Sequence, residues 1–441
     1  LTMSINLSKV ASQKKIKYFL ISFVDLFGVL RAKLVPAQAI AEMQKNGAGF
    51  AGFATYLDMS PADSDMLAIP DPKSLIQLPW QPEVGWLASD LVMDGKIVEQ
   101  CPRVILKRQI EKLNEKNMVM QTGVECEFFL LSEDGTEVDD KRDTAAKPCY
   151  DQSTLMRRYD IIKEICDSML KLGWKPYQND HEDANGQFEM NWNYADCLTT
   201  ADRHVFFKFM VKSIAEKHGL RATFMPKPFP DLTGNGCHVH VSIWDQKKKK
   251  NLFLDENGEL GLSKLGYSFI GGIMKSADCF SAWFNPSLNS FGRIDASNTL
   301  SGATWSPSTV TYTGNNRTHM VRIPDAGRFE VRHADGSANP YLLQAGMLGL
   351  GLDGINNKRS PGKRLDINMY TQGHKLKRVK KLPKTLDKAL KLFKESNVAK
   401  NAFGSSVVSK YIKLKNRELK EYGKQPEDQK SEWSRNNAID C

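Results

Sequence analysis

The sequence predicts a mixed α+β protein of two domains, and three observations support that fold class. The chain has 441 residues, and a domain usually contains roughly 100–200 residues, so two domains fit its length best. Hydrophobic residues make up 41% of the chain and charged residues 25%, a globular composition that excludes disorder over the whole chain. Amphipathic helical patterns alternate along the chain with short segments of strand character.

The first hundred residues contain strand and turn patterns around one helix. Residues 17–25 alternate and are rich in aromatic and β-branched side chains, which predicts a strand, and residues 31–35 predict a second. Residues 36–45 show a helical pattern that ends before Gly47. Five prolines between positions 61 and 82 interrupt regular structure.

A domain boundary is expected near Pro102, because a helical pattern begins directly after it. We therefore expect a first domain at residues 1–102 and a second at residues 103–441. In the second domain, helices are predicted at residues 155–170, 196–218, 263–284 and 385–393. Strands are predicted at residues 123–131, 186–192, 236–244, 319–323 and 328–333.

Three of these strands carry two polar side chains spaced two residues apart, which places both on one face of the strand. The three pairs are Glu125 with Glu127, His238 with His240, and Glu330 with Arg332. Two further acids, Glu182 and Glu189, lie in or just before another strand. Like charges on one sheet face repel, and divalent cations would remove that repulsion. Carboxylates with one or two imidazoles suit Mg²⁺ or Mn²⁺ better than zinc.

A group of arginines accompanies these acids in the second half of the chain. Its members are Arg293, Arg317, Arg322, Arg328 and Arg332. Arginine at fixed positions favours bidentate capture of carboxylate or phosphate. Metal ions beside such arginines are the groups that phosphoryl transfer requires. The sequence has neither a phosphate-binding loop of the P-loop type nor a dinucleotide-binding glycine motif. These patterns predict two-metal, nucleotide-dependent phosphoryl chemistry on a sheet.

The net charge of +10 is concentrated in the last 84 residues, which hold 22 Lys and Arg against 9 Asp and Glu. No RNA- or DNA-binding motif accompanies this basic segment, and its lysines lie on helical patterns with apolar residues between them. We therefore expect a solvated outer surface and no nucleic-acid partner. No stretch approaches about 18 consecutive apolar residues, so no membrane span is expected. Eight scattered cysteines predict free thiols in a reducing cytoplasm.

Five motifs resemble the glutamine synthetase superfamily in order and spacing, and the resemblance extends over nearly the whole chain. The motifs are ECEFF at residues 125–129, HEDANGQFE at 181–189, GNGCHVHVS at 234–242, NRTHMVRIP at 316–324 and RFEVRHADGSANPY at 328–341. Within the superfamily, their wording is closest to the branch that contains glutamate–methylamine ligase. The resemblance implies a β-grasp-like N-terminal domain and a catalytic domain with a curved antiparallel sheet, a half-barrel flanked by helices. It also implies a dodecamer of two stacked hexamers, in which a neighbour's N-terminal domain completes each active site.

The resemblance further implies roles for individual residues. One metal ion would be held by Glu127, Glu182 and Glu189, and the other by Glu125, His238 and Glu330. The ATP contacts would be His240, Ser242, Arg322 and Arg328. The glutamate contacts would be Arg293, Arg332, Gly234 and Thr233, the last standing where many members have asparagine. Arg317 would stabilise the transferred phosphoryl group, with Glu330 and Arg322 beside it as further catalytic residues.

The implied reaction has two steps and uses ATP with two or more Mg²⁺ or Mn²⁺ ions. The γ-carboxylate of L-glutamate attacks the γ-phosphate of ATP and gives γ-glutamyl phosphate and ADP. An amine then displaces phosphate and forms an amide.

The sequence departs from the family where the family binds ammonium. Glutamine synthetases use an aspartate in an N-terminal loop of the neighbouring subunit and a glutamate on a flap. No Asp or Glu occurs at residues 47–56 or 298–318 of this chain. The amine pocket would instead be formed by Ala51, Phe50, Phe53 and Trp305. Because an alkylammonium has an apolar end and a charge that attracts aromatic faces, methylamine is the expected nitrogen donor. The alternatives are a glutamine synthetase that uses ammonia and a γ-glutamyl ligase for another small amine or a polyamine.

Overall fold

The structure is a computed structural model that describes residues 5–294, 296 and 299–441. The first sheet contains strands β1 (Tyr18–Val24), β2 (Leu30–Pro36), β3 (Ala48–Phe50), β4 (Met66–Pro70), β5 (Ile76–Gln77), β6 (Val84–Met93) and β7 (Lys96–Ile97). Helices α1 (Leu7–Lys14) and α2 (Ile40–Asn46) accompany it. The strands follow the order β2-β1-β6-β4-β3, with β5 and β7 also paired to β6. β1 runs parallel to β6 and antiparallel to β2.

Strand β1 forms because its side chains alternate between two faces. Phe19, Ile21 and Phe23 share one face and are buried, and each buried side chain of this size contributes about 1.5–3 kcal/mol. The predicted strands at 17–25 and 31–35 are confirmed to within a residue or so at each end. The helix predicted at residues 36–45 is found as a 3-10 helix at Ala37–Ala39 that continues into α2, while Pro36 itself is extended and ends β2.

The second sheet is the one that carries the acids. Its strands are β8 (Met118–Ser132), β9 (Pro176–His181), β10 (Gln187–Trp192), β11 (Ala195–Asp196), β12 (Leu220–Thr223), β13 (Cys237–Asp245), β14 (Tyr312–Thr313), β15 (Val321–Arg322) and β16 (Phe329–Val331). The order is β14-β15-β16-β13-β8-β10-β9, with β11 and β12 also paired to β8. All neighbours are antiparallel except β14 and β15. The sheet is barrel-like and nearly closed, and with its flanking helices it confirms the predicted α+β class.

Helices surround the second sheet. They are α3 (Pro102–Asn114), α4 (Gln152–Arg157), α5 (Tyr159–Lys171), α6 (Cys197–Lys217), α7 (Lys264–Phe284), α8 (Ser290–Ile294), α9 (Pro340–Asn356), α10 (Met369–Gln372), α11 (Leu386–Glu395), α12 (Asn397–Phe403), α13 (Ser405–Gly423) and α14 (Lys430–Asn436). In α11 the apolar residues Leu386, Leu390 and Phe393 are buried, while the lysines between them are exposed. Within the described ranges, no helix has the length and hydropathy that a membrane crossing requires.

A buried arginine joins the two sheets. Arg103, at the start of α3, donates to Asp202 at 3.1 Å, to Asp90 at 3.0 Å and to Asp71 at 2.8 Å. Asp71 and Asp90 belong to the first sheet region, and Asp202 lies on α6 behind the second. Because Arg103 is only 2% exposed, its charge depends on these three carboxylates, and the network fixes the position of one sheet against the other.

Candidate active site

Strand register assembles a first group of carboxylates. In the antiparallel pair of β8 and β10, Glu127 lies opposite Glu189, and Glu182 reaches the same place from the turn that follows β9. One ligand oxygen from each of the three lies within 4.8 Å of the others. Each carboxylate also accepts one N–H from a neighbour. Gly236 donates to Glu127 at 2.5 Å, Asn191 donates to Glu189 at 2.9 Å and Asp183 donates to Glu182 at 3.0 Å. These hydrogen bonds fix the orientation of the three carboxylates.

The charges of this first group are poorly neutralised by the protein alone. Burial, together with the other acids nearby, raises the pKa of Glu182 and of Glu189 well above the usual range. Burial and the charges of Glu127 and Glu125 also raise the pKa of Asp180 to about 6. A divalent cation would favour the ionised carboxylates and remove the repulsion between them. The oxygen-only donor set therefore fits Mg²⁺ or Mn²⁺.

A second group of candidate metal ligands is centred on Glu125, two residues before Glu127 on β8. Glu125 pairs in register with His238, and His240 pairs with Glu330. Ligand atoms of Glu125, His240 and Glu330 lie within 4.8 Å of one another. The Nδ1 atom of His238 is 3.3 Å from Glu125 and 3.4 Å from Glu330, so both histidines face the same two carboxylates. The assignment of His238 to the metal and of His240 to ATP therefore stays a prediction.

Two arginines hold Glu330 in its ionised form. Arg332 donates to one oxygen of Glu330 at 2.8 Å and Arg322 donates to the other at 2.9 Å. Burial opposes ionisation, but Arg332 and the two histidines outweigh it and lower the pKa of Glu330 to about 2. Likewise burial opposes ionisation of Glu125, but His240 and His238 hold its pKa well below the usual range. The two carboxylates of the second group are thus ionised, and with the histidine nitrogens they form an oxygen and nitrogen donor set that again fits a divalent cation.

Three of the predicted nucleotide residues line one cavity. His240, Ser242 and Arg328 surround a space of about 320 Å³ together with Glu125, and Arg328 donates to Nδ1 of His240 at 2.8 Å. Arg328 also pairs with Asp325. Arg322, the fourth predicted nucleotide residue, is not among the residues of the cavity wall. The cavity opens directly beside the second carboxylate group, where a phosphate chain would meet the metal ligands.

The predicted glutamate residues also lie together. Arg293 is buried and donates to the main-chain oxygens of His333 at 3.1 Å and of Arg332 at 3.2 Å. The Nε atom of Arg332 is buried without an acceptor in the part of the chain that the structure describes. A Cβ added at Gly234 would lie 2.2 Å from a main-chain oxygen and 3.2 Å from the Cγ of Arg293. A buried, unsatisfied guanidinium donor is suited to an anionic substrate group.

Arg317 differs from the other arginines because it is exposed. It lies between β14 and β15, near Tyr150. Burial raises the pKa of Tyr150 to about 12, with Glu182 adding to the rise and the charge of Arg317 opposing it. Glu182 and Arg317 thus both act on the hydroxyl of Tyr150. The family resemblance gives Arg317 a role at the transferred phosphoryl group. That role stays a prediction.

The four residues of the predicted amine pocket are not brought together by a single chain. Phe50 packs edge-on against Phe23 of the first sheet at 4.9 Å, and Phe53 is 62% exposed. Trp305 lies in the segment before β14 of the second sheet, and no ring contact among the described residues joins it to Phe50 or Phe53. Trp305 has a left-handed backbone with φ of 56°. The amine pocket therefore stays a prediction that needs a second chain.

Two residues near the site were missed by sequence reasoning. Asp183 follows the ligand Glu182 and accepts hydrogen bonds from the loops at residues 233 and 301. Tyr370, on α10, also lies near the two arginines proposed to bind glutamate. Burial raises the pKa of its hydroxyl, and the charges of Arg332 and Arg293 oppose that rise. The position of Asp183 next to a ligand was a usable signal, whereas Tyr370 belongs to no motif that the sequence displays.

The sheet, its two groups of candidate ligands and the arginines are typical of an enzyme that uses divalent metal ions and anionic substrates. Residues 99–434 match the family model described as "Glutamine synthetase, catalytic domain". The chain therefore belongs to the glutamine synthetase family, whose members are ligases that use ATP, divalent metal ions, glutamate and an amine. This membership confirms the resemblance that the five motifs indicate.

Individual relatives match over almost their full length. "Glutamine synthetase" of Rhizobium leguminosarum bv. phaseoli is 57% identical over 99% of this chain and 100% of the relative. "Glutamate--methylamine ligase" of Methyloversatilis universalis is 39% identical over 97% of each chain. A solved structure described as "GmaS/ADP complex-Conformation 1" superposes with a TM-score of 0.93 at 57% identity, over 99% of this chain and 100% of that one.

Proposed function

We propose that this enzyme joins methylamine to the γ-carboxylate of L-glutamate, with conversion of ATP to ADP and phosphate. The observation that carries the proposal is the absence of Asp and Glu from residues 47–56 and 298–318, the two segments in which the family resemblance places the ammonium-binding acids. Ammonium is small and strongly hydrated, so its binding requires carboxylates. Methylammonium has an apolar end that suits Trp305 and a charge that an aromatic face attracts.

The first step uses residues that already lie together. Arg293 and Arg332 bind the carboxylate of glutamate, and Gly234 leaves room beside them. His240, Ser242 and Arg328 bind ATP in their cavity. The two carboxylate groups hold Mg²⁺ or Mn²⁺, which supplies charge neutralisation for the phosphates. Arg322 orients Glu330, and Arg317 stabilises the phosphoryl group as it moves to the γ-carboxylate of glutamate.

The second step requires that the amine, and not water, reacts with γ-glutamyl phosphate. The amine nitrogen attacks the acyl carbon of γ-glutamyl phosphate, phosphate leaves, and the nitrogen loses a proton. An aromatic wall at Trp305, with Phe50, Phe53 and Ala51 of a neighbouring subunit, would bind the methyl group and exclude water. An acyl phosphate held in such an apolar pocket reacts with the amine in preference to hydrolysis.

A second chain is required for this pocket, and we propose the two stacked hexamers of the family as the assembly. The exposure of Phe53 and Ala51, which lie close together in the chain, supports this, because a contiguous exposed apolar patch marks a surface for a partner. Light scattering on the purified protein measures the mass of the assembly. A monomer of 49.7 kDa that synthesises the amide would contradict the proposal.

A glutamine synthetase that uses ammonia is the second candidate. The 57% identical relative from Rhizobium leguminosarum bv. phaseoli carries that name, whereas the relative named for methylamine is 39% identical. Release of ADP from ATP and glutamate, measured with ammonium, methylamine, ethylamine and a polyamine in turn, separates these functions. We expect methylamine to give the highest kcat/KM. A higher kcat/KM for ammonium would establish the second candidate instead.

A further inference from the structure

We propose that Asp183 is a positioning residue that holds the segment at residues 299–305 against the glutamate site and thereby keeps ATP use coupled to amide formation. The inference rests on the proposed function, because it concerns the acyl phosphate formed in that reaction. Three neighbouring segments meet at this one carboxylate, and each of them carries a different part of the site.

Asp183 links the metal-ligand turn to two other loops. Its main-chain N–H donates to the carboxylate of Glu182 at 3.0 Å. Its Oδ2 atom accepts from the hydroxyl of Ser301 at 2.6 Å and from the hydroxyl of Thr233. Thr233 is buried and directly precedes Gly234, which abuts Arg293. A shift of any one segment would therefore disturb the other two.

The 299–305 segment is held by contacts within itself and by one contact to α10. Within the segment, the hydroxyl of Thr299 donates to the main-chain oxygen of Ala303 and lies 3.2 Å from the hydroxyl of Ser301. Next to Trp305, Thr304 contacts the hydroxyl of Tyr370, which lies near Arg332 and Arg293. These contacts hold the segment beside the two arginines that are proposed to bind glutamate.

Trp305, directly after Thr304, is held in an unfavourable conformation. Its φ of 56° is rare for a bulky residue, and its Nε1 atom is buried without an acceptor among the residues that the structure describes. A strained residue keeps its conformation only when the surrounding contacts determine it. Asp183, through Ser301, supplies one of those contacts.

Loss of this positioning has a specific chemical consequence. If the segment moves away, water reaches γ-glutamyl phosphate, its oxygen attacks the acyl carbon and phosphate leaves, which returns glutamate. ATP is then converted to ADP and phosphate with no amide formed. A general loss of structure would instead lower ADP release and amide formation together, so the molar ratio of the two products identifies a positioning role.

Ser301→Ala is the primary test, because it removes one donor to Asp183 and leaves the carboxylate in place. A hydrogen bond to a charged acceptor changes an equilibrium by roughly tenfold or more, so we expect the ratio of amide to ADP to fall by about twofold or more. Asp183→Ala should give a larger fall, and Asp183→Asn should restore coupling because its amide oxygen still accepts. Ser308→Ala, an exposed serine nearby, is the matched control and should keep the wild-type ratio.

The assay measures ADP and γ-glutamylmethylamide in the same reaction of the full-length enzyme with ATP, glutamate and methylamine. A wild-type ratio of amide to ADP in both Ser301→Ala and Asp183→Ala overturns the inference, whether or not these variants turn over more slowly. A fall in Ser308→Ala equal to that in Ser301→Ala also overturns it. If the wild type itself releases no amine-dependent ADP, the proposed function is wrong and this inference falls with it.

Discussion

Gly236 lies at the centre of the candidate site and gives a sharp test of its geometry. A Cβ added there would lie 2.8 Å from Nη2 of Arg293, 2.8 Å from Nε2 of His238 and 3.3 Å from Oε2 of Glu127. Normal contacts to carbon are about 3.5 Å or longer, so the first two distances are too short by roughly 0.7 Å. One methyl group would thus displace both an arginine proposed to bind glutamate and a proposed metal ligand.

We expect Gly236→Ala to fold and to lose most of its activity. A misplacement on the order of 1 Å lowers a rate by roughly 100-fold, and here two functional groups are displaced by most of that distance. The assay is steady-state ADP release with ATP, glutamate and methylamine, accompanied by circular dichroism to show that the variant is folded.

Gly292→Ala is the matched control, because its added Cβ would make only ordinary contacts of 3.5 and 3.6 Å with Lys227. Its activity should stay within about threefold of the wild type, the usual range of a surface change that adds no strain. If Gly236→Ala retains kcat/KM within that same range, the residues around Gly236 do not form the reacting centre, and the reasoning is refuted.

Three further predictions concern specificity and stability. Trp305→Glu should lower the ratio of kcat/KM for methylamine to that for ammonium by roughly tenfold, the low end of what one methyl group in an apolar pocket is worth; steady-state kinetics with both amines check this, and an unchanged ratio excludes Trp305 from the amine pocket. Arg103→Ala should lower the free energy of unfolding by about 3–5 kcal/mol in a urea titration, because it leaves Asp202 buried and unpaired; a loss below about 1 kcal/mol, the value of an exposed ion pair, would contradict this. Burial, with the charge of Arg293, lowers the pKa of His333 to about 3. The stability that the neutral His333 contributes is therefore complete above pH 6.5, and it is lost by about 1.4 kcal/mol per pH unit as the pH falls from 6.5 toward 3. Thermal unfolding between pH 7 and pH 5 should show this slope in the wild type and a weaker slope in His333→Asn.

The sequence predicts the main strands of the second sheet well because their patterns are local. β10 and β13 are found within a residue of the positions predicted. β8 begins at Met118, five residues before the prediction, because pairing with four other strands extends it beyond its own pattern. Pairing with partners is not visible in one segment alone. β15 and β16 lie within the predicted strands but are shorter than them.

The ligand groups were predictable for the same reason, since alternation places Glu125 and Glu127 on one face. It was not predictable that His238 and His240 would both face Glu125 and Glu330, because these contacts depend on the register between β8 and β13. The network at Asp183 was also not predictable, because Asp183, Thr233 and Ser301 are far apart in the sequence and meet only through loops. The proposed amine pocket is a separate case, because one chain does not bring Phe53 and Trp305 together and the pocket stays a prediction.

A competition between amines tests the central claim most directly. The enzyme is given ATP, glutamate and equal concentrations of methylamine and ammonium, and mass spectrometry measures γ-glutamylmethylamide and glutamine in the same sample. At early times their ratio equals the ratio of the two kcat/KM values. We predict that γ-glutamylmethylamide is the major product. A majority of glutamine would contradict the account and identify the enzyme as one that uses ammonia.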